Sequence, residues 1–239
     1  MPKADATRLT LEFLLGVSAF GLCTVVLLVP SLPVQVESFG WRKQLVGSVF
    51  LLLCAAGGVA ALSPMKCSGT VGHQQERSMT WQAGTRGHQF AFNGHHPNCG
   101  RFSSHVASLG GHVFCAACAG LLVGALFGLV GTALYFFFNL GLERAGFQMV
   151  LFGIVGVVLG FSQLRFRGIV RTVLNVFFVL GAFLILSGAD ELKQSMMIDA
   201  YVIGLIVLWL VTRMMLSQWD HARICRLCPN QCEVLSSAS

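Results

Sequence analysis

The chain has 239 residues, of which 55% are hydrophobic and 11% charged, with a mean hydropathy of +0.72 and a formal net charge of +6. That balance excludes an ordinary soluble domain, in which about 25% of residues are charged. It also removes nucleic acid as the reading of the positive charge, because in a membrane protein basic residues chiefly report topology.

Taken in chain order, six apolar runs are long enough to cross a bilayer, which takes about 18 to 20 residues. They are Leu11–Val29, Leu45–Leu62, Val113–Phe138, Phe147–Leu164, Ile169–Leu186 and Met196–Met215. The first follows Lys3 and Arg8 and could pass for a signal peptide. Glu12 inside its start, its length, and the lack of a small-residue cleavage site at Pro30-Ser31-Leu32-Pro33 make it a retained helix. The expected fold is an all-α membrane protein: a six-helix transmembrane bundle with a small Cys/His-rich insertion. Four segments follow: 1–62 with helices one and two, 63–118 as the insertion, 113–215 with helices three to six, and a tail at 216–239.

Between spans two and three the composition changes sharply. Ser63–His112 is rich in glycine, histidine and polar residues. Ser78-Met79-Thr80-Trp81 and His88-Gln89-Phe90-Ala91-Phe92 alternate around Ala83-Gly84-Thr85-Arg86-Gly87, a pattern that predicts a short hairpin. A lone hairpin is marginal in water, and a metal knuckle would hold so small a unit down.

Spans three to five are joined by short connections and should pack as antiparallel neighbours in sequence. Gly120, Gly124 and Gly128 repeat every four residues on span three, as do Gly156 and Gly160 on span four. Small residues at that spacing let helix backbones approach closely. The groove serves packing within the chain or association between copies, as a homo-oligomer or in a larger membrane complex; packing within the chain is favoured. No histidine, lysine or aspartate falls at a predicted bilayer centre, which counts against an ion-coupled transporter. It also removes the paired histidines of a b-type haem. Asn139, Ser162, Gln163 and Asn175 are modest exceptions, explained by hydrogen bonds between helices.

An even number of spans puts both termini on one side. With the N-terminus inside, Lys3, Arg8, Lys66, Arg77, Arg86, Arg101, Arg165, Arg167, Arg171, Arg213, Arg223 and Arg226 lie inside; Arg42, Lys43, Arg144 and Lys193 lie outside. This imbalance predicts an N-in, C-in protein of the plasma membrane. Asp190, Glu191 and Asp199 then fall in the outer fifth connection. The insertion and the tail face the cytoplasm, where thiols stay reduced, so their cysteines read as ligands or redox groups rather than disulfide staples. Cys23 and Cys54, inside spans one and two, read as small buried hydrophobes.

Two constellations carry chemistry. The first is His95, His96 and Cys99, then His105, then Cys115-Ala116-Ala117-Cys118 at the opening of span three. Two cysteines three positions apart can reach one ion, and a further pair of Cys/His ligands 15–20 residues away completes a tetrahedral site. Cys99, Cys115 and Cys118 with one of His95, His96 or His105 form the expected set. The second is His221 with Cys225, Cys228 and Cys232 in the tail, where His221 or Cys67 would supply a fourth ligand. Zinc is the default for such mixed sets; an iron–sulfur cluster is the alternative, though the tail offers three cysteines where four are usual. Tail cysteines beside a membrane also suit palmitoylation. A dithiol reading of Cys115 and Cys118 comes behind these, because a redox CxxC normally follows a strand in an α/β domain and nothing comparable is expected here.

Phe114-Cys115-Ala116-Ala117-Cys118-Ala119-Gly120, with His73-Gln74-Gln75-Glu76-Arg77-Ser78 upstream, resembles an uncharacterised prokaryotic family of multi-spanning membrane proteins. Its members carry a Cys-His-Gln…Arg-Ser-Phe segment and then a CxRCxG motif entering a transmembrane helix. The resemblance covers 73–124. Gly72 stands in place of that family's cysteine, Met79 of its phenylalanine and Ala117 of its arginine. It implies a Cys/His head on a helical bundle and no assigned activity.

The function expected from sequence is a membrane protein whose zinc-type Cys/His head has a structural or docking role, alone or as a subunit of a larger membrane complex. The alternatives are a metal- or iron–sulfur-dependent membrane redox enzyme or electron carrier, and a metal transporter or sensor. Glu76 is the only acidic residue in 63–112, which weakens hydrolase chemistry.

Overall fold

In a computed structural model, residues 2–31, 40–62, 105–109, 112–140 and 145–226 are described. Cys67, His95, His96, Cys99, Cys228, Cys232 and the hairpin expected at 78–92 lie outside the described residues, as do the side chains of His221 and Cys225. Six helices long and apolar enough to cross a membrane are present, one for each predicted run.

These are α1 (Pro2–Ser31), α2 (Arg42–Leu62), α3 (Ala116–Thr132), α4 (Gly146–Phe161), α5 (Gly168–Lys193) and α6 (Met196–Arg226). A π turn at Ala133–Phe137 extends α3, and a 3₁₀ turn at Ser162–Arg165 extends α4. They run alternately up and down. At one end stand the starts of α3 and α5 and the ends of α2, α4 and α6; at the other are the starts of α2, α4 and α6. Both termini of the bundle therefore share the end that carries Cys115 and Cys118.

Helix α5 is the hub, packed against α3, α4 and α6. Its closeness to α4 has a local cause. A methyl group on Gly181 would stand 2.5 Å from the Gly153 carbonyl oxygen, and one on Gly153 would stand 2.7 Å from that of Gly181. One turn pair further along, Gly188 meets the Gly146 carbonyl at 2.6 Å by the same measure. On the opposite flank Gly120 lies against the Thr172 carbonyl and Asn175, and Gly124 against Val176 and Val179. The small-residue stripes of α3 and α4 thus pack against α5 of the same chain, with Gly128 also against Cys54 and Phe50 of α2. Helix α1 is held to α6 by a Ser18–Thr212 hydroxyl pair at 2.9 Å and by the Trp209 indole donating to the Ser18 carbonyl at 3.3 Å.

Three expectations need correction. Residues 113–115 are not helical: Val106–Leu109 (β1) and His112–Cys115 (β2) form an antiparallel hairpin, with Val106 opposite Cys115 and Leu109 opposite His112. Asp190 and Glu191 do not sit in a loop, because α5 continues to Lys193. Asp190 and Asp199 are both fully buried, and the Arg42 guanidinium bridges them, with Nη2 2.5 Å from Asp190 Oδ1 and Nη1 donating to Asp199. Tyr135 donates to Asp190 at 2.9 Å and lies 3.0 Å from Glu191, while Lys43 stands over the Tyr135 ring. A charge count by side cannot see that Arg42 is an internal tie between α2, α5 and α6. Finally, Cys54 is buried as expected but Cys23 is exposed on the outer face of α1.

Candidate functional site

The hairpin delivers the chain into α3 in such a way that Cys115 is both the last residue of β2 and the N-cap of α3. Its backbone is extended, with φ −67° and ψ 114°. Cys118 lies in the first helical turn. A helix start leaves its first N–H groups without partners inside the helix, and the aligned peptide dipoles favour negative charge there. The Cys115 sulfur uses that position. The Cys118 thiol donates to it, the backbone N–H groups of Cys118 and Ala117 do the same, and the Arg171 guanidinium adds a favourable field; burial opposes. The Cys118 side-chain hydrogen bond contributes most, and the thiol of Cys115 is lowered to about 5 from an ordinary 9.0. These contacts favour the ionised form of Cys115, and neither cysteine is in a disulfide.

The surroundings are more basic than the sequence suggested. Arg171 and Arg213, counted from sequence as topology-setting residues, are 2% and 4% exposed. Arg213 donates through Nε to Asn175 Oδ1 at 3.0 Å and through Nη2 to Gln163 Oε1 at 3.4 Å, and stacks over Phe178. Asn175 and Gln163 are therefore the interhelical hydrogen-bonders the sequence implied. No carboxylate lies within salt-bridge distance of Arg213 among the described residues; the sulfurs of Cys118 and Cys115 are in its electrostatic reach.

His105, directly before β1, is the described member of the histidine cluster. It is buried, and its Nε2 lies 3.1 Å from Asp220 Oδ2 near the end of α6. The same oxygen is 3.7 Å from Arg171 Nη2. Asp220 was not singled out from sequence: it is separated from His105 by more than a hundred residues, and only the antiparallel packing of α5 and α6 beneath the hairpin brings it there. Of the eleven residues expected to hold metal, the structure describes the side chains of Cys115, Cys118 and His105. Register places His105 beside the β2–α3 junction, yet the ring nitrogen is turned to Asp220. Among the described residues no group of three or more Cys, His, Asp or Glu side chains is arranged to hold one ion.

No protein-family model, no curated protein and no solved structure matches this chain. The functional reading therefore rests on the site itself.

Proposed function

We propose that this is an integral membrane protein that carries out thiol–disulfide exchange through the Cys115–Cys118 pair at one face of the bundle. The observation that supports it most is the β2–Cys115–α3 junction. There a short strand leads into an N-cap cysteine and a helix start, the local setting of a reactive CxxC, although on a two-stranded hairpin rather than in an α/β domain. The Cys115 thiolate attacks one sulfur of a partner disulfide, RS–SR′, forming a Cys115–SR mixed disulfide and releasing R′S⁻. Cys118, three residues on, gives up its proton and attacks Cys115, and RS⁻ leaves. The pair ends oxidised by two electrons and the partner reduced to two thiols; the reverse course regenerates the dithiol. Arg171 and Arg213 favour the thiolate, while Arg171 also presents a positive field that opposes a bound cation.

A second reading keeps Cys115 and Cys118 as half of a zinc-type site whose other ligands come from the insertion or the tail. Its support is the hairpin, which lays His105 beside the cysteine pair with a carboxylate on its far nitrogen, the usual setting of a zinc-ligating histidine. The cytoplasmic position of this end remains the expectation from the positive-inside imbalance.

One experiment separates the two. Purified protein in detergent is equilibrated with dithiol buffers over a range of potentials, quenched with an alkylating reagent, and assayed for a Cys115–Cys118 bond by mass spectrometry and for metal by elemental analysis. Exchange chemistry predicts a reversible two-electron transition in the range of about −120 to −270 mV spanned by known CxxC oxidoreductases. Failure of the bond to form at any potential, with one zinc retained per chain, would overturn it in favour of the metal site.

A further inference from the structure

A narrow crevice runs into the bundle between α2, α3, α5 and α6, with a cavity volume of about 40 Å³. Of the side chains that line it, only Cys54 carries an atom other than carbon. A buried water needs roughly 10–15 Å³ and two to four polar partners, so there is room for water but nothing to hold it. Left empty, such a space forfeits the dispersion contacts of its walls. The crevice is open at Gly57 of α2, which is exposed and where an added methyl would meet nothing within 4 Å. Gly57 lies inside the α2 span, so this mouth faces hydrocarbon rather than water.

Three of the four walls continue upward into the cysteine site. On α3, Cys118, Leu121 and Ala125 share one face by their spacing of three and four residues, and the last two line the crevice. On α6 the same spacing joins Ile206 and Leu210 of the crevice to Arg213, and on α5 it joins Phe178 and Ala182 to Asn175. The Arg213 guanidinium lies over the Phe178 ring, 5.6 Å from its centroid, and donates to Asn175. Leu121 follows Cys118 by about 4.5 Å along the helix axis, at 1.5 Å per residue. A polar cap of Cys118, Asn175 and Arg213 therefore stands one turn above a slender apolar shaft. That profile suits one molecule with a polar head and a long hydrocarbon tail.

We propose that the crevice holds the tail of a membrane-soluble quinone, whose ring meets the Cys115–Cys118 pair and takes two electrons from it. The shaft is too narrow for the ring and wide enough for a chain, which leaves the head at the cap. A quinone carries two electrons through lipid, the number the pair gives up in closing its disulfide. The Cys115 sulfur adds to a ring carbon; Cys118 then attacks that sulfur, the S–S bond forms as the S–C bond breaks, and the electron pair stays on the ring. The Cys118 proton and one from water complete the hydroquinone, and exchange with a partner's thiols regenerates the dithiol. The redox half of this rests on the exchange reading above; the crevice does not.

The test uses the full chain, reduced, in phosphatidylcholine nanodiscs. One probe is a quinone with a photoactivatable diazirine in its tail; the other is phosphatidylcholine with the same group in an acyl chain. Cross-linked residues are mapped by mass spectrometry, oxidation of the pair is read by alkylation, and hydroquinone by its ultraviolet absorbance. The expected result is labelling by the quinone tail at Leu53, Gly57 or Leu210, displaced by excess tailed quinone but not by a tail-less one, with hydroquinone formed in step with the disulfide. Gly57→Phe fills the mouth and loses that labelling; Gly204→Phe, at a glycine of α6 that is equally open but outside the crevice, keeps it. Should Gly57→Phe fail to fold, displacement on the parent chain decides alone. Labelling by the phospholipid that excess quinone does not displace would make the crevice an ordinary lipid contact and overturn the inference. Displacement without oxidation of the pair would overturn it as well; whether a small soluble disulfide still oxidises the pair then shows if the exchange reading falls with it.

Discussion

The Arg42 tie gives the sharpest stability prediction. Its guanidinium serves two carboxylates at once, Asp190 and Asp199, both 0% exposed, while Arg42 is itself 5% exposed. Arg42→Met removes the fork and leaves two acids enclosed. Breaking a buried ion pair from one side costs about 3–5 kcal/mol, mostly the penalty of the stranded charge. Lys43 Nζ stays 3.8 Å from Asp190 Oδ2 and Tyr135 still donates to that carboxylate, so Asp190 keeps partners and the lower end applies. A loss of about 3 kcal/mol lowers the folding equilibrium roughly 100-fold. Arg42→Lys should lose nearly as much, since one ammonium cannot span both acids as a planar fork does. The assay is reversible unfolding in mixed micelles, on Arg42→Met, Asp199→Asn and the double variant. The double variant should be well short of additive, by about 1–3 kcal/mol, because it strands less charge. A single-variant loss under about 0.5 kcal/mol, the usual scale of a surface change, or strict additivity, would refute the reasoning.

Further outcomes are expected elsewhere. Gly181→Leu should separate α4 from α5, at a cost of about 1–3 kcal/mol or more, because even a methyl stands 2.5 Å from the Gly153 oxygen; unchanged thermal stability would contradict the close approach. Asp220→Asn should loosen the hairpin from α6, seen as faster proteolysis ahead of α3, since His105 and Arg171 share that carboxylate; the parent digestion pattern would count against it. Cys118→Ala should raise the Cys115 ionisation midpoint, as it removes the strongest stabiliser of the thiolate; a midpoint unmoved in alkylation assays would remove Cys118 from that role. Because the folded ionisation is depressed from 9.0 to about 5, the stability that Cys115 contributes is complete above about pH 9 and lost as pH falls to about 5. Cys115→Ser should flatten stability across that window in chemical denaturation.

The parts legible in sequence were those set by long apolar runs. Each of the six predicted spans became a helix, because length and hydropathy leave a chain few other ways to satisfy its backbone in lipid. Gly120 and Gly156 announced close packing through their four-residue spacing. Gly181 and Gly188, seven apart, did not, although they face carbonyls just as closely. Strand β2 was hidden because His112-Val113-Phe114-Cys115 runs straight into apolar helix, and a short apolar run does not declare its period. The ion pairs were invisible for a different reason. Arg42 and Asp199 are 157 positions apart, and counting charges by side treats every arginine as solvated. Arg171 and Arg213 were counted in the same way, and their burial, with the electrostatics it brings to the cysteines, does not show in such a count.

The central claim is that Cys115 is held as a reactive thiolate at the junction of β2 and α3. Its most direct measurement is the rate of Cys115 alkylation against pH in the folded protein, read peptide by peptide with Cys23 and Cys54 as internal references. The account predicts a rate that is level at neutral pH and falls through its half-point at about pH 5. A half-point near pH 8.5, that of an ordinary thiol, would contradict it.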